Sequence, residues 1–316
     1  MPDTLHLVDP DLRPMLDVWP TVALDAENLE AMREMERTMP LPPVVKNDVN
    51  RQDYVVPGPA GAPDIGALVY TPGGSGPFPC IYHVHGGGFV GGAAALLESI
   101  HRPLAAELGC IIVSIDYRLA PETTFPGNIE DCYAGLTWTF ARAIELNIDP
   151  ARIGVMGESA GGGLAASLAL LARDRGALTL AFQCLVYPML DDRTCTQLEL
   201  HPYAGEFIWT PHNNRFGWSS LLGTEPGGPD VSPYAAAARA TDLASLPQTF
   251  IATGALDLFL EEDIEYARRL LRAGVPTELH VYPGAFHGFD LMPGVAVAAA
   301  AQADRIAALK RAMAPG

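Results

Sequence analysis

A serine set among small residues is the strongest candidate nucleophile in this chain. The run GESAG at residues 157–161 follows a β-rich segment, 152–156, and precedes a helical pattern, 161–173. At a sharp strand-to-helix turn a serine hydroxyl is exposed, and the flanking glycines are needed because a Cβ would crowd the strained backbone. The context therefore predicts Ser159 as a nucleophile for acyl transfer. The alternative is an ordinary glycine-rich helix start.

A second glycine-rich stretch could stabilise the negative charge that such an attack creates. His85 is followed by three glycines and Phe89, directly after a β-rich segment. Glycines let main-chain N–H groups approach a substrate carbonyl, where preorganised donors stabilise an oxyanion. We predict an oxyanion hole formed by the N–H groups of Gly87, Gly88 and Ala160.

A nucleophilic serine needs a base, and in folds with this turn the chain order is serine, acid, histidine. His287 lies in a loop beyond the last β-rich segment, whereas His280 lies within that segment, where a structural role is favoured. Asp257 follows the segment 249–253 at the strand end where such sites assemble. The acidic residues at 261–263 begin a helix, where negative side chains interact favourably with the positive end of the helix dipole, so a structural role is favoured for them. We therefore predict His287 as general base and Asp257 as the acid that orients it.

The glycine loop also permits a reading from another class of protein. Gly86, Gly88 and Gly91 match the G-x-G-x-x-G pattern of dinucleotide-binding folds, and Asp116 ends the following β-rich segment. This pattern would indicate an NAD(P)-dependent oxidoreductase. It explains neither His85 nor the serine turn downstream.

The elements between these motifs alternate, which predicts a mostly parallel α/β sheet. The expected strands are 53–56, 65–71, 80–85, 111–116, 152–156, 182–187, 249–253 and 277–282, and the expected helices are 24–39, 96–108, 129–146, 161–173, 261–273 and 295–313. Residues 189–223 are polar and aromatic without a strand signal, and long loops of this kind usually carry function. We predict a cap formed by 1–45 and 189–223 over a catalytic domain formed by 46–188 and 224–316.

Charge and cysteine content limit the possible partners and compartment. The 316 residues carry 37 acidic and 20 basic side chains, a net charge of -17 that disfavours nucleic acid and anionic membranes and favours a neutral or cationic substrate. Five scattered cysteines, among them Cys195, suit reduced core thiols, and no cysteine or histidine spacing predicts a metal site. The N-terminus lacks the pattern of a signal peptide, so we expect a cytoplasmic protein that does not bind membranes.

Taken together, these motifs resemble the hormone-sensitive-lipase-like esterases, also called family IV of the bacterial lipolytic enzymes. The matching motifs are HGGGF at 85–89, YRLAPE at 117–122, GESAGG at 157–162 and HGF at 287–289. The resemblance implies an α/β-hydrolase fold, with an eight-stranded, mostly parallel sheet flanked by helices and a helical cap. One strand is expected to be antiparallel, and the cap insertion to follow the sixth strand.

The resemblance also implies an activity. Family members hydrolyse esters of short to medium acyl chains without a cofactor, and many form homodimers along the edge of the eighth strand. We predict that Phe89, Trp209 and Phe216 line the substrate pocket, and the alternative is that these aromatic residues simply belong to the core. Leu258 departs from the family, in which proline often follows the acid. Plant gibberellin receptors resemble the same family but do not catalyse and lack the triad histidine, whereas His287 is present here.

Overall fold

Eight strands form one sheet in this computed structural model, which describes residues 3–19, 21–40, 43–44, 47–194, 196 and 201–315. The spatial order is β1-β2-β4-β3-β5-β6-β7-β8. The strand β2 runs antiparallel to both of its neighbours, and all other pairs are parallel. The predicted eight-stranded sheet with one antiparallel strand is therefore confirmed. The strands are β1 (Asn50–Val56), β2 (Ile65–Thr71), β3 (Phe78–Val84), β4 (Ile111–Asp116), β5 (Ile148–Glu158), β6 (Phe182–Val186), β7 (Gln248–Gly254) and β8 (Thr277–Tyr282).

Helices cover both faces of this sheet. They are α1 (Arg13–Val18), α2 (Leu29–Thr38), α3 (Glu98–Leu108), α4 (Gly127–Ala141), α5 (Ala160–Arg175), α6 (Pro211–Leu222), α7 (Leu260–Arg272) and α8 (Ala296–Ala312). In the described part of the chain, no helix is long and apolar enough to cross a membrane. The cytoplasmic location stays a prediction.

Two predicted helix bounds were wrong. The first helical pattern was expected to start at residue 24, but α2 starts at Leu29, because the side chain of Asp25 accepts the N–H groups of Glu27 and Asn28 in a preceding turn. The helix expected over 129–146 ends at Ala141, and the chain then turns through residues 142–147 before β5.

Alternate residues of the central strands supply two separate cores. In β3, Cys80, Tyr82 and Val84 pack with α4, α5 and α7, whereas Ile81 points to the other face with α3 and α8. A parallel sheet buried on both faces reads as continuous apolar runs, which explains why these strands were recognisable. The cysteines Cys80, Cys110, Cys132 and Cys184 are free and buried, and Cys195 lies outside the described residues.

The N-terminal segment and the insertion after β6 contact each other. Asn213 of α6 accepts the N–H of Leu24 at 2.9 Å and donates to the carbonyl of Val22 at 2.8 Å. The N–H of Ile208 donates to Thr21 Oγ1 at 3.0 Å. These bonds support the two-part cap, which stays a proposal. The edge strand β8 pairs only with β7 in the described sheet, and the homodimer expected along it also stays a prediction.

Candidate active site

Ser159 occupies a strained turn between β5 and α5. Its backbone has φ 56° and ψ -124°, a region that residues other than glycine rarely adopt. A Cβ at Gly157 would lie 2.3 Å from the carbonyl oxygen of Gly161, and a Cβ at Gly161 would lie 2.1 Å from that of Val84. Only glycine fits at these two positions, so the small residues are what allow the turn to form.

The three predicted triad residues come together at the carboxyl end of the sheet. Ser159 Oγ lies 2.9 Å from Nε2 of His287, and Nδ1 of the same ring lies 2.8 Å from Oδ2 of Asp257. The other oxygen of Asp257, Oδ1, accepts the N–H of Phe259 at 3.0 Å, so the fully buried carboxylate is held at both oxygens. This arrangement can pass a proton from the hydroxyl to the imidazole.

Aromatic rings surround the imidazole of His287. The ring centroids of Tyr187, Phe259 and Trp209 lie 4.8, 5.2 and 6.3 Å from its own. The hydroxyl of Tyr187 donates to Oδ1 of Asp290 at 2.6 Å, which orients the tyrosine ring against the imidazole. Burial raises the pKa of Tyr187 well above its usual range, and the Asp290 carboxylate raises it further. Sequence reasoning missed Tyr187, whose one signal is its place at the end of β6.

A buried group of charges lies next to the nucleophile. Glu158 accepts a hydrogen bond from His83 at 2.8 Å, and Arg305 lies 4.0 Å from Glu158 and 3.4 Å from Asp290. Burial opposes ionisation of Glu158, but His83 and Arg305 outweigh it and lower the pKa of this carboxyl. Through Glu158 and Asp290, Arg305 therefore links the serine turn to the histidine loop.

The glycine loop after β3 lies beside the nucleophile, since a Cβ at Gly86 would be 3.4 Å from the Cβ of Ser159. Gly87 and Gly88 have φ values of 119° and 60°, which favour glycine. Among the described residues their N–H groups have no hydrogen-bond partner. Ala160 is the first residue of α5, so its N–H has no partner within the helix. All three N–H groups are therefore free to donate a hydrogen bond to an anion.

The three predicted pocket residues occupy different surroundings. Trp209 lies against Gly88 close to His287, with its Nε1–H donated to Asn214 at 3.1 Å. Phe89 is fully buried, with its ring centroid 5.0 Å from that of Trp218. Phe216 is half-buried and packs on a cluster next to α2. A role of these residues in the pocket stays a prediction.

The residue that suggested a dinucleotide site is engaged elsewhere. Oδ1 of Asp116 accepts the N–H of Ala94 at 2.7 Å, directly before α3. In a dinucleotide-binding fold this carboxylate would face the ribose hydroxyls. Here it fixes the end of the glycine loop.

Comparison with known proteins gives a consistent result. A family model described as the alpha/beta hydrolase fold matches residues 81–291. The chain is 36% identical over 317 residues to the carboxylesterase NlhH of Mycobacterium tuberculosis, covering 97% of this chain and 96% of that protein. It is 34% identical over 310 residues to the esterase LipI of the same species, covering 96% and 94%. A solved bacterial heroin esterase is 40% identical, with a TM-score of 0.90 over 99% of this chain and 100% of that one.

Proposed function

Because this chain belongs to the α/β-hydrolase family, and within it to the hormone-sensitive-lipase-like esterases, we propose that it is a serine carboxylesterase acting through Ser159. Its substrates are carboxylic esters of short to medium acyl chains. The observation that carries the proposal is the unbroken series of contacts from Ser159 through His287 to Asp257, with distances of 2.9 and 2.8 Å. The curated relatives that bear the names carboxylesterase and esterase support the reaction class.

The first half of the reaction forms an acyl-enzyme. His287 Nε2 takes the hydroxyl proton as Ser159 Oγ attacks the ester carbonyl, and Asp257 holds the imidazole tautomer and stabilises the imidazolium. The carbonyl oxygen becomes an oxyanion and accepts hydrogen bonds from Gly87, Gly88 and Ala160. The C–O bond to the alcohol then breaks, and the leaving oxygen takes the proton from His287.

The second half releases the acid. Water loses a proton to His287 and attacks the acyl carbonyl, and the same three N–H groups stabilise the second tetrahedral intermediate. The bond to Ser159 Oγ breaks, and the proton returns to that oxygen. No step needs a group beyond the protein and water.

The test compares each triad variant with a matched control. Ser159→Ala and His287→Ala should each lower kcat on p-nitrophenyl acetate by on the order of 10⁵–10⁶-fold, and the double variant should be no worse, because the triad acts as one unit. Ser167→Ala removes another serine from α5, and His280→Ala removes the histidine that pairs with Glu278 in β8. Both controls should retain activity.

Two outcomes would contradict the proposal. Substantial turnover by the Ser159→Ala variant would exclude this serine as nucleophile. A folded wild-type protein that hydrolyses no p-nitrophenyl ester from acetate to decanoate would favour a binding protein without catalysis.

A further inference from the structure

Helix α2 of the N-terminal segment contacts the outer side of the glycine loop through Arg33. This guanidinium donates from Nε to the carbonyl oxygen of Val90 and from Nη2 to that of Ala120, both at 2.7 Å. It also forms paired bonds with the carboxylate of Glu122, at 2.7 and 3.0 Å. Only 12% of the Arg33 side chain is exposed. One side chain of the cap thus bonds to both the glycine loop and the YRLAPE segment.

Glu36, one helical turn further on, makes a second contact with the same loop. Its Oε2 accepts the N–H of Gly92 at 3.0 Å. Its carboxylate and the terminal carbon of Met32 lie so close to Gly91 that a Cβ there would be 3.0 and 2.9 Å from them. Buried main-chain groups need hydrogen-bond partners, and α2 supplies them for the carbonyl of Val90 and the N–H of Gly92.

The outer and inner halves of the loop are joined by hydrogen bonds. The N–H groups of Val90 and Gly91 both donate to the carbonyl oxygen of Gly87, at 3.0 and 2.9 Å. Gly87 and the adjacent Gly88 supply two of the proposed oxyanion donors. A displacement of Val90 therefore changes the direction of these donors, although Arg33 is separated from the reacting atoms by the whole loop.

We propose that Arg33 is a positioning residue that fixes the oxyanion donors through Val90, with Glu36 supporting the same loop through Gly92. Full catalysis then requires that α2 is docked on the glycine loop, and the helix does more than cover the pocket. The inference rests on the proposed esterase function. Because the donors bind the oxyanion and not the ground-state ester, loss of Arg33 should lower kcat with little change in KM.

The same helix provides a matched control. Arg37 is more than half exposed and, in the described part of the chain, forms its ion pairs with Glu30 and Glu34 of α2, so its removal changes the helix surface without touching the loop. Exposed pairs of this kind contribute little to stability. Arg33→Ala leaves Glu122 without its partner, but that carboxylate is 64% exposed and stays hydrated.

The experiment measures kcat and KM on p-nitrophenyl acetate, together with inhibition by an aryl trifluoromethyl ketone. This inhibitor forms a bond from its carbonyl carbon to Ser159 Oγ, its carbonyl oxygen becomes the oxyanion, and His287 receives the serine proton. Arg33→Ala should lower kcat about 10- to 100-fold and weaken the inhibitor to a similar extent, the size expected for displaced donors. Arg37→Ala should stay within about twofold of wild type in both measurements.

Conservative variants at Arg33 and Glu36 complete the test. Arg33→Lys should recover activity only in part, because an ammonium lacks the planar fork that reaches two carbonyls at once. Glu36→Gln keeps an acceptor for Gly92 and should lose less than Arg33→Ala. If Arg33→Ala fails to fold, the inference is tested by comparing kcat of Arg33→Lys with kcat of Arg37→Ala.

Two results would overturn the inference. One is a kcat for both Arg33 variants equal to that of Arg37→Ala. Another is a raised KM with unchanged kcat, which would make α2 a substrate-binding element only. Turnover by Ser159→Ala would instead contradict the proposed function, so the two failures are distinguishable.

Discussion

The substitution Gly88→Ala tests how closely the glycine loop must fit against Trp209. An alanine Cβ at this position would lie 2.1 Å from Cη2 of the indole and 2.9 Å from Cζ2. Carbon atoms make favourable contact at about 3.5 Å, so the ring or the loop must move by roughly 1.4 Å. The backbone of Gly88, with φ 60°, adds about 1–2 kcal/mol of strain for any residue with a Cβ.

The indole cannot absorb the whole movement. Trp209 is buried and donates its Nε1–H to Asn214 at 3.1 Å. On the loop side, Gly217 of α6 lies so near the carbonyl of Gly88 that a Cβ there would be 2.7 Å from the oxygen. The loop must therefore take up part of the shift. A displacement of about 1 Å at the proposed oxyanion donors should lower kcat about 10²-fold, or about 2.7 kcal/mol of transition-state stabilisation.

The assay combines kinetics with a double-mutant cycle. The values of kcat and KM on p-nitrophenyl acetate are measured for Gly88→Ala, Trp209→Ala and the double variant, and the free energy of unfolding is measured in urea. If the steric clash causes the loss, the double variant should recover part of the kcat lost by Gly88→Ala, with a coupling energy of about 1 kcal/mol or more.

A second glycine separates strain from steric clash. Gly176 follows α5 with φ 69°, and a Cβ there would meet nothing within 4 Å. Gly176→Ala should therefore cost about 1–2 kcal/mol of stability while leaving kcat unchanged. Full activity of Gly88→Ala, or strictly additive effects in the cycle, would refute the reasoning.

Two buried ionisable groups give further predictions. Burial raises the pKa of Asp263 well above its usual range, and Glu262 raises it further, so this carboxyl weakens folding as pH rises from its unfolded value of about 3.9 toward the folded one. Asp263→Asn should thus raise Tm at pH 8 by roughly 2–4 °C for each kcal/mol of destabilisation that it removes, and should change Tm little at pH 4. Calorimetry at the two pH values measures this difference. Equal Tm shifts at both pH values would contradict this cause. Arg305→Met leaves the buried carboxylate of Asp290 and the partly buried one of Glu158 without their shared cation, and should cost about 3–5 kcal/mol in urea unfolding at pH 7. A loss below about 1 kcal/mol would show that the cation is dispensable.

The sheet and the meeting of Ser159, His287 and Asp257 were accessible from the sequence because each depends on local signals. Central strands such as β4 are buried on both faces and appear as apolar runs with definite ends. Ser159, Asp257 and His287 each follow a strand in the chain order that this fold requires, and parallel strands bring their carboxyl ends to one edge. Topology therefore brings these residues together without any knowledge of side-chain packing.

The insertion after β6 was less accessible. The sequence indicated only its extent and aromatic character, and α6 was not predicted, although Thr210 accepts the N–H of Asn213 and Pro211 follows as the first helical residue. Its polar and apolar residues give a weak helical pattern because several polar side chains, including Asn213 and Asn214, are buried against other segments. A helix whose buried face is partly polar does not show the periodicity that sequence reasoning depends on.

Arg33 illustrates a further kind of information that sequence patterns do not contain. The helix around it reads LEAMREMERT, with acids and arginines spaced as in an ordinary solvated face. By spacing alone Arg33 and Arg37 are equivalent, since each has a glutamate three residues before it. What distinguishes them is the direction in which α2 packs, which places one guanidinium on the carbonyls of Val90 and Ala120 and leaves the other in solvent. A long-range contact of this kind has no local signature, because its acceptor is main chain, which every residue carries whatever its type.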